Sequence, residues 1–235
     1  MLKKTLVAAA FGLSVGLAAA APVGAVTFAT YNPTTPAVNV SLTGLTLSAR
    51  APVVFNYLTP ALSALGSLAA TLSLVATETG AIAFGPVTLA TFDGSFSLTY
   101  TGPTKTVGGI TAHTGDDLLS GLFLGSVFSG YGSTASIIDS ITGGGLVNYN
   151  DNSFVTFDPL SDEGLVIGMT EVTPPTAVVG GRLTDFRAVS QGQFAADLLT
   201  GGGGGTPEPA TWAMMLVGFG AIGLAARRRA KFAGA

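Results

Sequence analysis

Thr91–Phe92–Asp93–Gly94–Ser95–Phe96–Ser97–Leu98–Thr99–Tyr100–Thr101 is the stretch that decides the fold class. In an extended chain Phe92, Phe96, Leu98 and Tyr100 share one face, while Asp93, Ser95, Ser97 and Thr99 share the other. Such period-two alternation marks a half-buried strand. Gly102–Pro103 ends it, since proline has no N–H to give to a ladder.

The same pattern recurs on both sides. Upstream, Val38, Val40 and Leu42 alternate with Asn39, Ser41 and Thr43, and Gly44 then shifts the phase, as a bulge or turn would. Val53–Tyr57 reads as a strand closed by Pro60. Leu62, Leu65, Leu68 and Leu72 fit helical spacing, but Thr71, Ser73, Val75 and Thr77 decide for a strand after Gly66. Downstream, a Gly/Thr-rich loop runs to Asp117, and Leu118–Ser129 is apolar on both faces, fitting a central strand between two layers. Ile137–Ile141, Leu146–Tyr149, Ser153–Phe157, Leu165–Met169 and Ala177–Gly180 are further short strands. Arg182–Val189 reads as the last strand and Phe194–Leu199 as a helical turn. Short strands without helical interludes predict an all-β, antiparallel β-sandwich or jelly-roll-like domain over residues 26–200.

Composition agrees. Charged residues make up only 10 % of the chain, yet 14 Phe and many Val, Ile and Thr can fill a core, which disordered chains lack. Cysteine is absent, so neither disulfides nor thiolate metal ligands contribute. Residues 26–200 hold four cations (Arg50, Lys105, Arg182, Arg187) against twelve carboxylates. Phosphate backbones are bound through Lys and Arg, so nucleic acid is excluded as a partner.

Candidate chemistry is sparse. His113, the only histidine, lies in Thr111–Ala112–His113–Thr114–Gly115–Asp116–Asp117. A nucleophile triad would need a serine beside it, and no Gly-x-Ser-x-Gly elbow occurs in the chain. One histidine without cysteine makes no zinc site. Asn148–Tyr149–Asn150–Asp151–Asn152 spaces oxygen ligands like a calcium loop, but Ser153 and Pro159 stand where the EF-hand needs Gly and Glu. Asp158, Asp162 and Glu163 leave an irregular calcium site open, against the reading as polar turns. Adjacent pairs Asp116–Asp117 and Asp162–Glu163 would point to opposite faces of a strand, unlike the facing carboxylates of a glycosidase. Tyr31, Tyr57, Tyr100, Tyr131 and Tyr149 are candidate sugar platforms, or core and rim residues with wet hydroxyls. No catalytic residue, metal ligand or cofactor site is assigned. The domain is expected to be non-enzymatic, with a carbohydrate-binding or adhesin module and a secreted hydrolase as alternatives.

The two ends say more. Met1–Leu2–Lys3–Lys4 followed by apolar Leu6–Ala21 reads as a secretory signal, with cleavage after Ala25. At the other end Gly201–Gly205 forms a flexible linker, spanning on the order of 12 Å. Beyond it the apolar run Trp212–Ala226 would make a helix of roughly 22 Å, short of the roughly 30 Å hydrocarbon core but able to span with local thinning. Trp212 suits the headgroup level, and Arg227–Arg228–Arg229 with Lys231 suits the cytoplasmic side. The expectation is a single transmembrane helix with residues 26–200 outside.

Pro207–Glu208–Pro209, then Trp212–Ala213, Gly218 and Gly220, then the triple arginine resemble the PEP-CTERM sorting signal in its PEPxxWA variety, found in Gram-negative bacteria. The resemblance covers about 25 of the 235 residues. It implies a substrate of a membrane-embedded exosortase, held in the inner membrane with its ectodomain in the periplasm and processed near Pro207–Glu208–Pro209. It also implies a destination at the cell surface or in exopolysaccharide matrix. The resulting division is residues 1–25 signal peptide, 26–200 ectodomain, 201–206 linker and 207–235 sorting signal.

Overall fold

Val26 at the start of the domain and Ala196 near its end face each other across one antiparallel ladder, and that pairing closes the sheet on itself. The computed structural model describes residues 26–34, 39–139, 145–158, 163–196 and 198. The stretches read above as signal peptide, linker, sorting signal and transmembrane helix lie outside the described residues.

In chain order the elements are β1 (Val26–Pro33), β2 (Val40–Thr43), β3 (Thr46–Tyr57), the one-turn α1 (Pro60–Ser63), β4 (Leu68–Phe84) and β5 (Val87–Tyr100). There follow β6 (Lys105–Val107), β7 (Ile110–Ala112), β8 (Asp117–Tyr131), β9 (Thr134–Asp139) and β10 (Leu146–Tyr149). The last are β11 (Gly164–Thr173), β12 (Val178–Val179), β13 (Arg182–Leu183) and β14 (Phe186–Ala196). Neighbours run β1-β14-β11-β9-β8-β5-β4-β3 and return to β1, every pair antiparallel, which makes a closed barrel of eight strand positions. Two positions are filled in two pieces. β2 takes over between β3 and β14 where β1 leaves off, and β10 lies on Gly121–Leu124 of β8 while β9 lies on Val127–Tyr131. Closure removes the free edges an open sheet must protect.

Alternation then sorts side chains into lumen and exterior. Leu68, Ala70, Leu72, Leu74 and Ala76 of β4, Phe92, Phe96, Leu98 and Tyr100 of β5, and Phe186 and Phe194 of β14 are buried. The exterior carries Ser48, Arg50, Thr71, Ser73, Ser95, Ser97, Arg187, Gln191 and Gln193. Apolar inside and hydroxylated outside is the reverse of a lipid-facing barrel. Rings fill the lumen where glycines admit them. A Cβ on Gly192 would sit 2.1 Å from the Tyr31 ring, and one on Gly94 would sit 2.7 Å from Phe123.

The two ends are shut differently. At the terminal end, where Val26 meets Ala196, Phe28, Tyr149 and Phe157 pack with ring centroids 5.1–5.6 Å apart. Phe154 adds its ring beside Tyr57. At the far end β12 and β13 form a hairpin laid against β4 and β5. It is held by polar contacts: both carboxylate oxygens of Glu78 accept the Leu183 N–H (3.1 and 3.2 Å), and the Thr88 hydroxyl bonds Thr176 at 2.8 Å.

The all-β expectation holds, but the strands close into one barrel instead of facing each other as two sheets. Leu118–Ser129, read as covered on both faces, is buried on both only at Leu118 and Leu119; farther along its outer face is open, and Leu122 and Leu124 are 54 % and 55 % exposed. The stretch Ser153–Phe157 is irregular apart from a bridge between Phe157 and Leu198. Phe194–Ala196 is the end of β14, not a helical turn, because Phe194 continues the lumen series of Phe186, Ala188 and Ser190. The strand read at Arg182–Val189 divides into β13 and β14, and the Gly/Thr-rich loop before Asp117 contains the β6–β7 hairpin.

Candidate functional site

Both routes out of the barrel leave from the terminal end. Val26 pairs with Ala196, and Leu198 bridges back to Phe157 before the chain continues toward the linker. Ala25 and the residues Pro207, Glu208, Pro209, Trp212, Ala213, Gly218, Gly220, Arg227, Arg228 and Arg229, all singled out in the sequence, lie outside the described residues. What the fold supplies to them is their point of departure.

Within the barrel, the candidate chemistry is taken up by turns and packing. The His113 N–H donates to Asp116 Oδ2 at 2.7 Å, and its Nδ1 lies 3.4 Å from the Thr104 hydroxyl, both in an exposed loop. The serine nearby, Ser120, donates instead to Asp117 Oδ2. Asn152 Oδ1 accepts the N–H groups of Phe154 and Val155, and Asp151 Oδ1 accepts that of Phe157. Glu163 Oε2 accepts the Tyr149 N–H at 2.7 Å. These oxygens shape the aromatic plug, and no group of three or more metal-ligating side chains gathers among the described residues. Asp162 lies outside them.

Four of the five tyrosines are buried, and their hydroxyls are bonded to protein, not wet. Tyr31 donates to Ser190 Oγ, Tyr57 to the Leu118 carbonyl, Tyr100 to the Pro103 carbonyl and Tyr149 to the Gly164 carbonyl. Burial pushes the phenols of Tyr31, Tyr57 and Tyr149 well above the ordinary range. Of the tyrosines, Tyr131 alone offers an exposed ring.

Sequence reasoning passed over the buried carboxylates. Glu78 sits in the lumen series after Leu72, Leu74 and Ala76, so the alternation itself points to it. Asp139 is buried at the end of β9, where Oδ2 accepts the Ser126 hydroxyl at 2.7 Å and Oδ1 has no hydrogen-bond partner among the described residues. Desolvation raises the carboxyl pKa of Glu78, Asp139 and Glu163. The Leu183 N–H and Arg182 moderate it at Glu78, Ser126 at Asp139 and the Tyr149 N–H at Glu163, where Asp151 pushes it further up.

The decisive similarity is in the tail: residues 206–229 match the family described as the PEP-CTERM protein-sorting motif. The chain carries a PEP-CTERM sorting motif. No curated protein and no solved structure matches the chain. The PEP-CTERM match begins eight residues beyond Leu198, so on a fully extended chain it starts within about 28 Å of the barrel's terminal end. That motif marks the chain for export and sorting to the cell surface by an exosortase-type enzyme.

Proposed function

We propose that this chain is a non-enzymatic surface or extracellular-matrix protein, a barrel delivered by its PEP-CTERM tail. The observation that carries the reading is the match at residues 206–229. During export the run Trp212–Ala226 holds the chain in the inner membrane, with Arg227–Arg229 on the cytoplasmic side and the barrel in the periplasm. The exosortase acts near Pro207–Glu208–Pro209. The barrel's short distance from this motif keeps its terminal end toward the membrane until release. Release into exopolysaccharide or onto the outer surface follows. The carbohydrate-binding alternative is weakened by the burial of four tyrosines that would have been its platforms.

Replacing Pro207–Glu208–Pro209 by alanines tests this in a host with an exosortase. The expected result is accumulation of the unprocessed chain in the inner-membrane fraction and its loss from the surface. A variant that still reaches the surface at the processed mass would overturn the reading.

A further inference from the structure

The folded barrel keeps hold of its chain two residues past the end of its last strand. β14 ends at Ala196, paired with Val26, and Leu198 then bridges back to Phe157. Leu198 is half-buried and packs against the lumen core. Its partner is fixed from several sides. Phe157 is buried, its N–H donates to Asp151 Oδ1 at 2.8 Å, and its ring lies 5.4 Å from Phe28 and 5.1 Å from Tyr149. The exit of the chain is thereby tied to the aromatic plug. Beyond it, Leu199 is the last large apolar residue before Pro207, since Thr200–Thr206 is five glycines between two threonines. Such a run offers the barrel almost no apolar surface to bury.

We propose that the Leu198–Phe157 bridge is a positioning contact for processing of the tail. It fixes the point from which the reach of Pro207–Glu208–Pro209 is measured, and the five glycines supply the clearance that the processing enzyme needs. The proposal rests on the sorted-tail reading and adds to it a requirement on length. Nine residues lead from Leu198 to Pro207, and at full extension they span about 31 Å. Eight strand positions about 4.8 Å apart, tilted as closure demands, make a backbone cylinder roughly 16 Å across, and side chains widen it to roughly 26 Å. The tether is therefore longer than the barrel is wide. Without Gly201–Gly205, four residues would remain, reaching about 14 Å.

Barrel and enzyme compete for the same space. An enzyme closing over Pro207–Glu208–Pro209 works within five residues of Trp212, whose ring suits the headgroup level. The barrel leaves that place free only as far as its tether allows. A linker too short to span two sites lowers their effective concentration toward zero. Release of the bridge moves the fixed point back to Ala196, which adds two residues and about 7 Å. Bridge and linker thus act on one quantity, and changes to the two are coupled instead of additive.

The test uses the full chain in a host with an exosortase and follows its conversion to the processed mass after a pulse of label. Deleting Gly201–Gly205 is expected to slow conversion at least about tenfold, with the melting temperature of the barrel unchanged. Replacing the same five residues by serine keeps the length and is expected to hold the rate within about twofold. Adding Leu198→Asp to the deletion releases the bridge and is expected to recover the rate at least about threefold. Leu198→Gly, which brings no charge to the plug, is expected to do the same. Ordinary conversion of the deletion variant overturns the proposal. So does a serine variant as slow as the deletion, which would mean that the glycines themselves are recognised. A deletion that neither Leu198 substitution relieves also overturns it. The alanine variant of Pro207–Glu208–Pro209 separates this from the sorting reading. If that variant is processed normally, the sorting reading falls. If it is blocked while the deletion converts normally, only the length requirement falls.

Discussion

The barrel closes its two ends by opposite means. The terminal end is stopped by aromatic rings, with Phe28, Tyr149 and Phe157 in mutual contact and Tyr57 against Phe154. The far end is stopped by a hairpin that a carboxylate and a threonine hold down. Rings exclude water over a broad area and tolerate small shifts. A buried carboxylate bonded to one N–H depends on a single geometry and on its charge state. The terminal end is thus the less conditional closure, and the far end is the one open to adjustment.

The largest expected effect tests the aromatic closure. Tyr149→Ala removes contacts to Phe28, Phe96, Phe157 and Phe194 and the bond to the Gly164 carbonyl, and should cost about 3–5 kcal/mol in urea unfolding. A loss under 1 kcal/mol would mean the rings are not what closes that end.

At the far end a smaller effect is expected. Glu78→Ala leaves the Leu183 N–H without an acceptor beneath the hairpin, a loss of about 1–3 kcal/mol. Glu78→Gln keeps an acceptor and should recover most of it. Faster hydrogen exchange at Leu183 in the alanine variant, ahead of global unfolding, would show that the hairpin opens as a unit. Exchange at the global rate would join the two ends into one cooperative closure.

The smallest effect is the pH dependence. Glu78, Asp139 and Glu163 have carboxyl pKa values raised by desolvation in the folded protein. The folded state therefore binds protons that the unfolded chain has released, and stability falls as pH rises from about 4 through the raised values. The barrel should melt at a higher temperature at pH 5 than at pH 7.5, and Asp139→Asn should flatten that slope. A barrel more stable at pH 7.5 would contradict the burial of these groups.

Local pattern carried much of this, and closure did not. The face shared by Phe96, Leu98 and Tyr100 was legible because alternation is a property of neighbours in sequence, and Leu146–Tyr149 is β10 to the residue. Whether strands form two sheets or one cylinder depends on Val26 finding Ala196 and on Ala29 finding Tyr57. No short window contains both partners. Phe194–Leu199 read as a helical turn, whereas β14 runs on through Gly192, which makes room for the ring of Tyr31. Asp139 went unnoticed between isoleucines, since its burial depends on Ser126 from β8. The sorting motif was legible for the opposite reason: the whole of it lies within one short run, residues 206–229.

The pairing of Val26 with Ala196 also sets how the barrel bears load. Pulled apart by its two ends, the molecule would open like a zip, one rung at a time, because antiparallel bonds lie across the strands. Held by the tail alone and tugged at the far wall, β14 instead carries the force along its length, with all the rungs to β1 and β11 sharing it. A barrel held only through the C-terminal end of β14 is loaded in its strong direction.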